Sequence, residues 1–113
     1  MDLLEVRRER GVAVVAPTVG RLDASVAPAF RQAVLKLVEG GDTRLVLDLA
    51  RLEFLDSSGL GAMVSILKAL GSKGALAVAG AHGAVLSLFQ LTRMDKVFVI
   101  AASADEAVAR MGG

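Results

Sequence analysis

Leu45-Val46-Leu47-Asp48-Leu49 runs through a short turn into Leu52-Glu53-Phe54-Leu55-Asp56-Ser57-Ser58-Gly59-Leu60-Gly61. The apolar residues Leu60, Met63, Val64, Leu67 and Leu70 then follow at helical spacing, with Lys68 on the opposite face. A short, nearly continuous aliphatic run suits a central strand covered on both faces. An apolar stripe of period 3.6 suits a helix packed on that strand. Gly71 and Gly74 end the helix. This strand–turn–helix unit sets the fold class, because the same alternation continues on either side.

Downstream, residues 75–79 form a third strand of the central type, residues 85–91 a short helix and residues 96–100 a final strand. Ser103-Ala104-Asp105-Glu106 is a capping box, in which the serine accepts from the N3 amide and the glutamate reaches back toward the cap. Ala104, Ala107, Val108 and Met111 share one face of the helix it opens. Upstream, residues 3–10 and 12–17 flank Gly11 and read as two strands joined by a tight turn. Gly20-Arg21-Leu22-Asp23 leads to a helix striped by Val26, Phe30, Ala33, Val34 and Leu37, with Asp23 or Ser25 as its cap and Pro28 in its first turn. The order ββαβαβαβα predicts an α/β domain: a small, mostly parallel mixed sheet with four helices and one antiparallel edge from the hairpin. Residues 1–113 read as one domain.

Composition narrows the function classes. Hydrophobic residues make up 54% and aromatics only 4%, all Phe, so the core is aliphatic. The absence of Cys and the single histidine, His82, exclude disulfides and Cys-based zinc sites and leave too few soft ligands for most metals. A net charge of +1 provides no broad footprint for nucleic acid. Mean hydropathy is high at +0.58. The most apolar stretch, residues 74–91, holds His82, Ser87, Gln90 and three glycines, and reads as strand, turn and helix rather than a membrane span. The N-terminus lacks the pattern of a signal peptide, so a cytoplasmic protein without membrane insertion is expected.

Catalytic motifs are absent or incomplete. Gly59-Leu60-Gly61 lacks the third glycine of a dinucleotide loop, and no Walker-type phosphate loop occurs. Asp56-Ser57-Ser58-Gly59 lacks the leading glycine of a hydrolase elbow, and His82 reads as a turn or cap residue. No enzyme activity, cofactor or metal is expected. At the start of the helix two readings stand: Asp56 and the serines as an ordinary cap, or a site approached closely by something at Gly59 and Gly61. Arg7, Arg8 and Arg10 crowd the edge hairpin, where charge blocks edge pairing. Asp48, in a strand of the buried type, must reach a strand end or a local hydrogen bond.

Asp56-Ser57-Ser58-Gly59-Leu60-Gly61, the preceding residues 45–49 and Gly20-Arg21-Leu22-Asp23 together resemble the STAS-domain family of anti-sigma factor antagonists, over nearly the whole chain. The resemblance implies a bacterial, cytoplasmic regulator of transcription. Its unphosphorylated form binds an anti-sigma factor that is also a serine kinase, and so frees the sigma factor. Phosphorylation breaks the complex, and a PP2C-type phosphatase resets it. The serine before Gly-Leu-Gly is Ser58, with Ser57 as a second-choice site. Asp23, Asp56, Ser57, Gly59, Leu60 and Gly61 fall on the implied partner surface, although Asp23 serves equally well as a helix cap. The alternative implied by other stand-alone STAS proteins is a subunit of an ABC-type lipid transport assembly, bound constitutively.

Overall fold

A computed structural model describes residues 2–112. Five strands form one sheet in the order β1-β2-β4-β6-β7: β1 (Leu4–Glu9), β2 (Val12–Pro17), β4 (Arg44–Asp48), β6 (Ala75–Ala79) and β7 (Val99–Ala101). Two short strands, β3 (Arg21–Leu22) and β5 (Phe54–Leu55), pair separately. The helices are α1 (Ala27–Glu39), α2 (Ser57–Leu70), α3 (Gly83–Leu91) and α4 (Ala104–Met111). β1 is antiparallel to β2, and the remaining neighbours of the main sheet are parallel. The mostly parallel sheet, the antiparallel hairpin edge and the four helices are those expected.

The hairpin closes through Arg10 and Gly11, at φ 55° and 80°. A two-residue turn whose backbone twist matches the strands needs φ > 0 at both positions, which glycine adopts freely and arginine does not.

Strand alternation divides the apolar residues between two layers. Ala13, Val15, Leu45, Leu47, Leu76 and Val78 face α1, α2 and α3 and join Phe30, Met63, Ile66 and Phe89 in the larger core. Val12, Val14, Val46, Ala77, Ala79 and Ala101 face the other way, where α4 supplies Ala104, Ala107 and Val108. The serine half of the α4 capping box forms as read, the Ser103 hydroxyl accepting from the Glu106 amide at 3.1 Å, while the glutamate reaches one residue past the cap. The returning Glu106 carboxylate takes the Ala102 amide at 2.8 Å. Asp48 ends β4 and accepts from the Ala50 amide at 3.1 Å, the local bond its position required. Among the described residues, no helix is long and apolar enough to cross a membrane.

Three local readings need correction. The last strand is Val99–Ala101, not residues 96–100, because Met94–Lys96 form a 3₁₀ turn behind Arg93 at φ 63°. That turn drives Phe98 into the core edge-on to Phe89, with ring centroids 5.7 Å apart. The first helix has Val26 at its N-cap position with no side-chain cap. Asp23 instead binds the amide and hydroxyl of Ser25 at 3.0 and 2.6 Å, and its carbonyl takes the amides of Val26 and Ala27. The β3–β5 pair was not anticipated, since two residues are too few for any periodicity.

Arg8 on β1 grips both carboxylate oxygens of Asp42, beyond α1, at 3.1 and 2.7 Å. This hydrogen-bonded pairing holds the Asp42 carboxyl below the usual carboxylate range. A folded-state value below the unfolded one stabilises the fold above the unfolded value, near pH ~4, and that contribution fades as pH falls through the folded value. Asp42→Asn is therefore expected to lower the thermal midpoint at pH 7, by a deficit that shrinks progressively as the pH is lowered below ~4. Melts along a descending pH series check this; a deficit that persists unchanged in acid would assign the effect to geometry rather than charge.

Candidate functional site

The backbone between β4 and α2 is built against the loop that precedes α1. The amides of Glu53 and Phe54 both bond the Gly20 carbonyl, at 2.8 and 3.2 Å. β5 then pairs with β3 in parallel, Arg21 opposite Phe54 and Leu22 opposite Leu55. The register carries Asp23 and Asp56 to neighbouring positions, one step beyond the last pair, and the Asp56 amide bonds the Leu22 carbonyl at 3.3 Å. The backbone at two positions far apart in sequence is thus brought side by side at the start of α2.

Asp56 is extended (φ −110°, ψ −175°) and is the N-cap of α2. Its Oδ1 accepts from the amides of Ser58 at 2.9 Å and Gly59 at 3.0 Å. The carboxylate thereby satisfies two of the donors that a helix start leaves open, and its charge opposes the positive end of the helix dipole. Asp56→Ala is expected to cost about 1 kcal/mol, with Asp56→Asn retaining most of it. Urea unfolding of the two variants tests this; equal losses would deny the cap its energetic role.

Ser57 and Ser58 are exposed, and among the described residues neither hydroxyl makes a hydrogen bond, because the cap is Asp56. Gly59 is buried: a Cβ there would lie 2.4 Å from the Leu22 carbonyl oxygen and 2.6 Å from Leu55 Cδ1. The close approach inferred at Gly59 is therefore made by the chain's own β3. Leu60 is buried in the larger core, whereas Gly61 is exposed with nothing within 4 Å of a would-be Cβ. Of the residues grouped on the partner surface, Ser57, Ser58 and Gly61 point outward, Asp23 and Asp56 are half-buried, and Gly59 and Leu60 form the packed base beneath them.

Asp23 does more than shape a turn. The Ser25 hydroxyl, followed by Arg21, holds its carboxyl below the usual range, so it stays ionised beside the helix start at neutral pH. Arg21 bonds Asp23 at 2.9 Å while its guanidinium carbon sits 5.0 Å from the centroid of the Phe54 ring. Phe54 is 43% exposed. The sequence signal for it is an aromatic residue in a phenylalanine-poor chain three residues before the serine pair. The motif reading misses Arg31. It shares a groove of about 290 Å³ with Ala24, Ala27 and Pro28 on one wall and Ser58, Ala62 and Ser65 on the other. His82 lies outside this surface; its Nε2 donates to the Ala50 carbonyl at 2.9 Å, tying two turns together.

The STAS domain family model matches residues 4–107. The chain belongs to the STAS domain family. This STAS domain is 32% identical to an anti-sigma factor antagonist from Mycobacterium paratuberculosis, with a TM-score of 0.87 over 95% of this chain and 91% of that one. It also resembles an anti-sigma-factor antagonist (STAS) domain protein from Planctomyces limnophilus at 23% identity, TM-score 0.86, covering 96% and 97% of the two chains. The anti-sigma factor antagonist SpoIIAA in its unphosphorylated form matches at 22% identity and TM-score 0.80, covering 96% and 95%. These last two likenesses carry the fold alone.

Proposed function

We propose that this STAS domain is an anti-sigma factor antagonist that works by partner switching. In this reading residues 1–113 act as one binding module in the bacterial cytoplasm, with no chemistry of their own. The unphosphorylated surface around Ser58 holds an anti-sigma factor that is also a serine kinase, and a sigma factor is released. The Ser58 Oγ then attacks the γ-phosphorus of an ATP held by that partner. The hydroxyl proton passes to a base of the kinase and ADP departs. A PP2C-type phosphatase hydrolyses the phosphoester and restores the hydroxyl.

The observation that carries the reading is the state of the Ser58 hydroxyl. It is exposed and, among the described residues, unbonded at the start of a helix that a neighbouring aspartate has already capped. The hydroxyl is therefore spare: it can be modified without loosening the helix. Its relatives among anti-sigma factor antagonists, and the 32% identity to one of them, support the same direction.

The test is phosphate transfer. The protein is incubated with ATP and each candidate anti-sigma kinase of its own genome, beside Ser58→Ala and Ser57→Ala. Labelling lost only in Ser58→Ala is expected. Labelling retained in Ser58→Ala, or transfer from no kinase, would remove the assignment and leave the constitutive transport subunit as the better reading.

A further inference from the structure

We propose that Arg31 is the counter-charge for the phosphate on Ser58, so that the modified side chain is drawn across the groove between α1 and α2. The proposal rests on the partner-switching reading for the phosphate itself and adds where that phosphate goes.

Three observations converge. First, Ser58 and Arg31 line opposite walls of the same groove, and among the described residues Arg31 is the sole charged one lining it; the others are Ala24, Ala27, Pro28, Ala62 and Ser65. Both helices run back along parallel strands, β2 to β4 and β4 to β6, so α1 and α2 point the same way. Helical side chains lean toward the N-terminus of their own helix. Arg31, one turn in from the start of α1, therefore leans back toward the level of Ser58 at the start of α2.

Second, Arg31 is uncommitted. Arg7, Arg8, Arg21, Arg51 and Arg110 form ion pairs, whereas among the described residues Arg31 forms none. A half-buried guanidinium without a carboxylate is a ready bidentate partner for a phosphate. Third, two of the amides nearest the phosphate are already occupied. The amides of Ser58 and Gly59 are already bound to Asp56 Oδ1, and that carboxylate repels a second anion. A group bringing about −1.5 to −2 charges must find its cation elsewhere, and the groove offers one.

The test is a ³¹P NMR titration of the full chain with phosphoserine genetically encoded at position 58, in the parent, Arg31→Gln and Arg31→Lys backgrounds. The second phosphate ionisation, ordinarily near pH ~6, is expected to rise by about half a pH unit in Arg31→Gln. It should stay near the parent value in Arg31→Lys. The difference should shrink in 1 M salt, where exposed charges are screened beyond ~3 Å. Coincident titration curves in all three backgrounds, or a difference untouched by salt, would overturn the assignment. Arg31→Lys keeps the charge, so a variant that merely folds poorly cannot reproduce the pattern. Because no kinase installs the phosphate, failure of kinase transfer would defeat the partner-switching reading alone, and coincident curves would defeat this pairing alone.

Discussion

Ser58→Glu is expected to weaken the complex with the anti-sigma partner by about a hundredfold or more, while Ser58→Ala binds as tightly as the unmodified protein and no longer responds to ATP. The position of the hydroxyl sets this contrast. It sits on an exposed surface two residues beyond the half-buried Asp56, whose carboxylate caps the same helix. In the partner-switching reading, a carboxylate or phosphate added there sheds its water on docking unmatched, and a loss of ~3 kcal/mol corresponds to more than a hundredfold. Neither variant touches the cap, which belongs to Asp56. Both should unfold within ~0.5 kcal/mol of the parent, so lost affinity cannot be mistaken for lost structure. Calorimetric titration of the partner into the three proteins decides the matter. Equal affinities would end the view that charge at position 58 controls binding.

The second large effect separates the two glycines of the motif. Gly59→Ala is expected to destabilise the domain by about 3 kcal/mol, at the upper end of ordinary overpacking. Its new Cβ would meet the Leu22 carbonyl oxygen at 2.4 Å and Leu55 Cδ1 at 2.6 Å, and both belong to the paired β3 and β5. A backbone carbonyl cannot rotate aside as a side chain can, so the helix start must shift. Gly61→Ala should do the opposite and stabilise by about 0.5–1 kcal/mol, since the position is an open, exposed helix interior. Denaturant unfolding distinguishes them. If Gly61 also belongs to the docking surface, the more stable Gly61→Ala protein will bind its partner less tightly. Unchanged affinity would take Gly61 off that surface.

The strong periodic segments were legible from sequence. β2 falls on residues 12–17 as read, and the stripes of α1, α2 and α4 face the sheet because helical spacing and burial are the same fact seen twice. The failures share a cause. Phe98 reads as a strand residue, yet its partner is Phe89 on α3, and the turn before β7 delivers it there. Asp23 looked like a cap for α1 because capping is local, whereas β3 pairing placed it beside Asp56 instead. Asp56 at the cap and Ser58 beyond it were visible in the motif. The reason for Gly59 was not: the atom it avoids is a carbonyl from a strand two residues long. Arg31 was invisible for the same kind of reason, since its relation to Ser58 exists only once α1 lies beside α2.

The unequal layers of the sheet bear on how the molecule breathes. One side is sealed by three helices and both fully buried phenylalanines, Phe30 and Phe89; the other is covered by eight-residue α4 over valines and alanines. Small side chains bury little area each, so α4 is the cheaper cover to lift. Amide exchange should therefore run fastest through α4 and slowest through β4, β6 and α2, because opening free energies follow local burial. The Ser58 surface stands on the slow side. Fluctuations of the thin layer can come and go without being felt at Ser58, so in the partner-switching reading the signal is a change of charge rather than a change of shape.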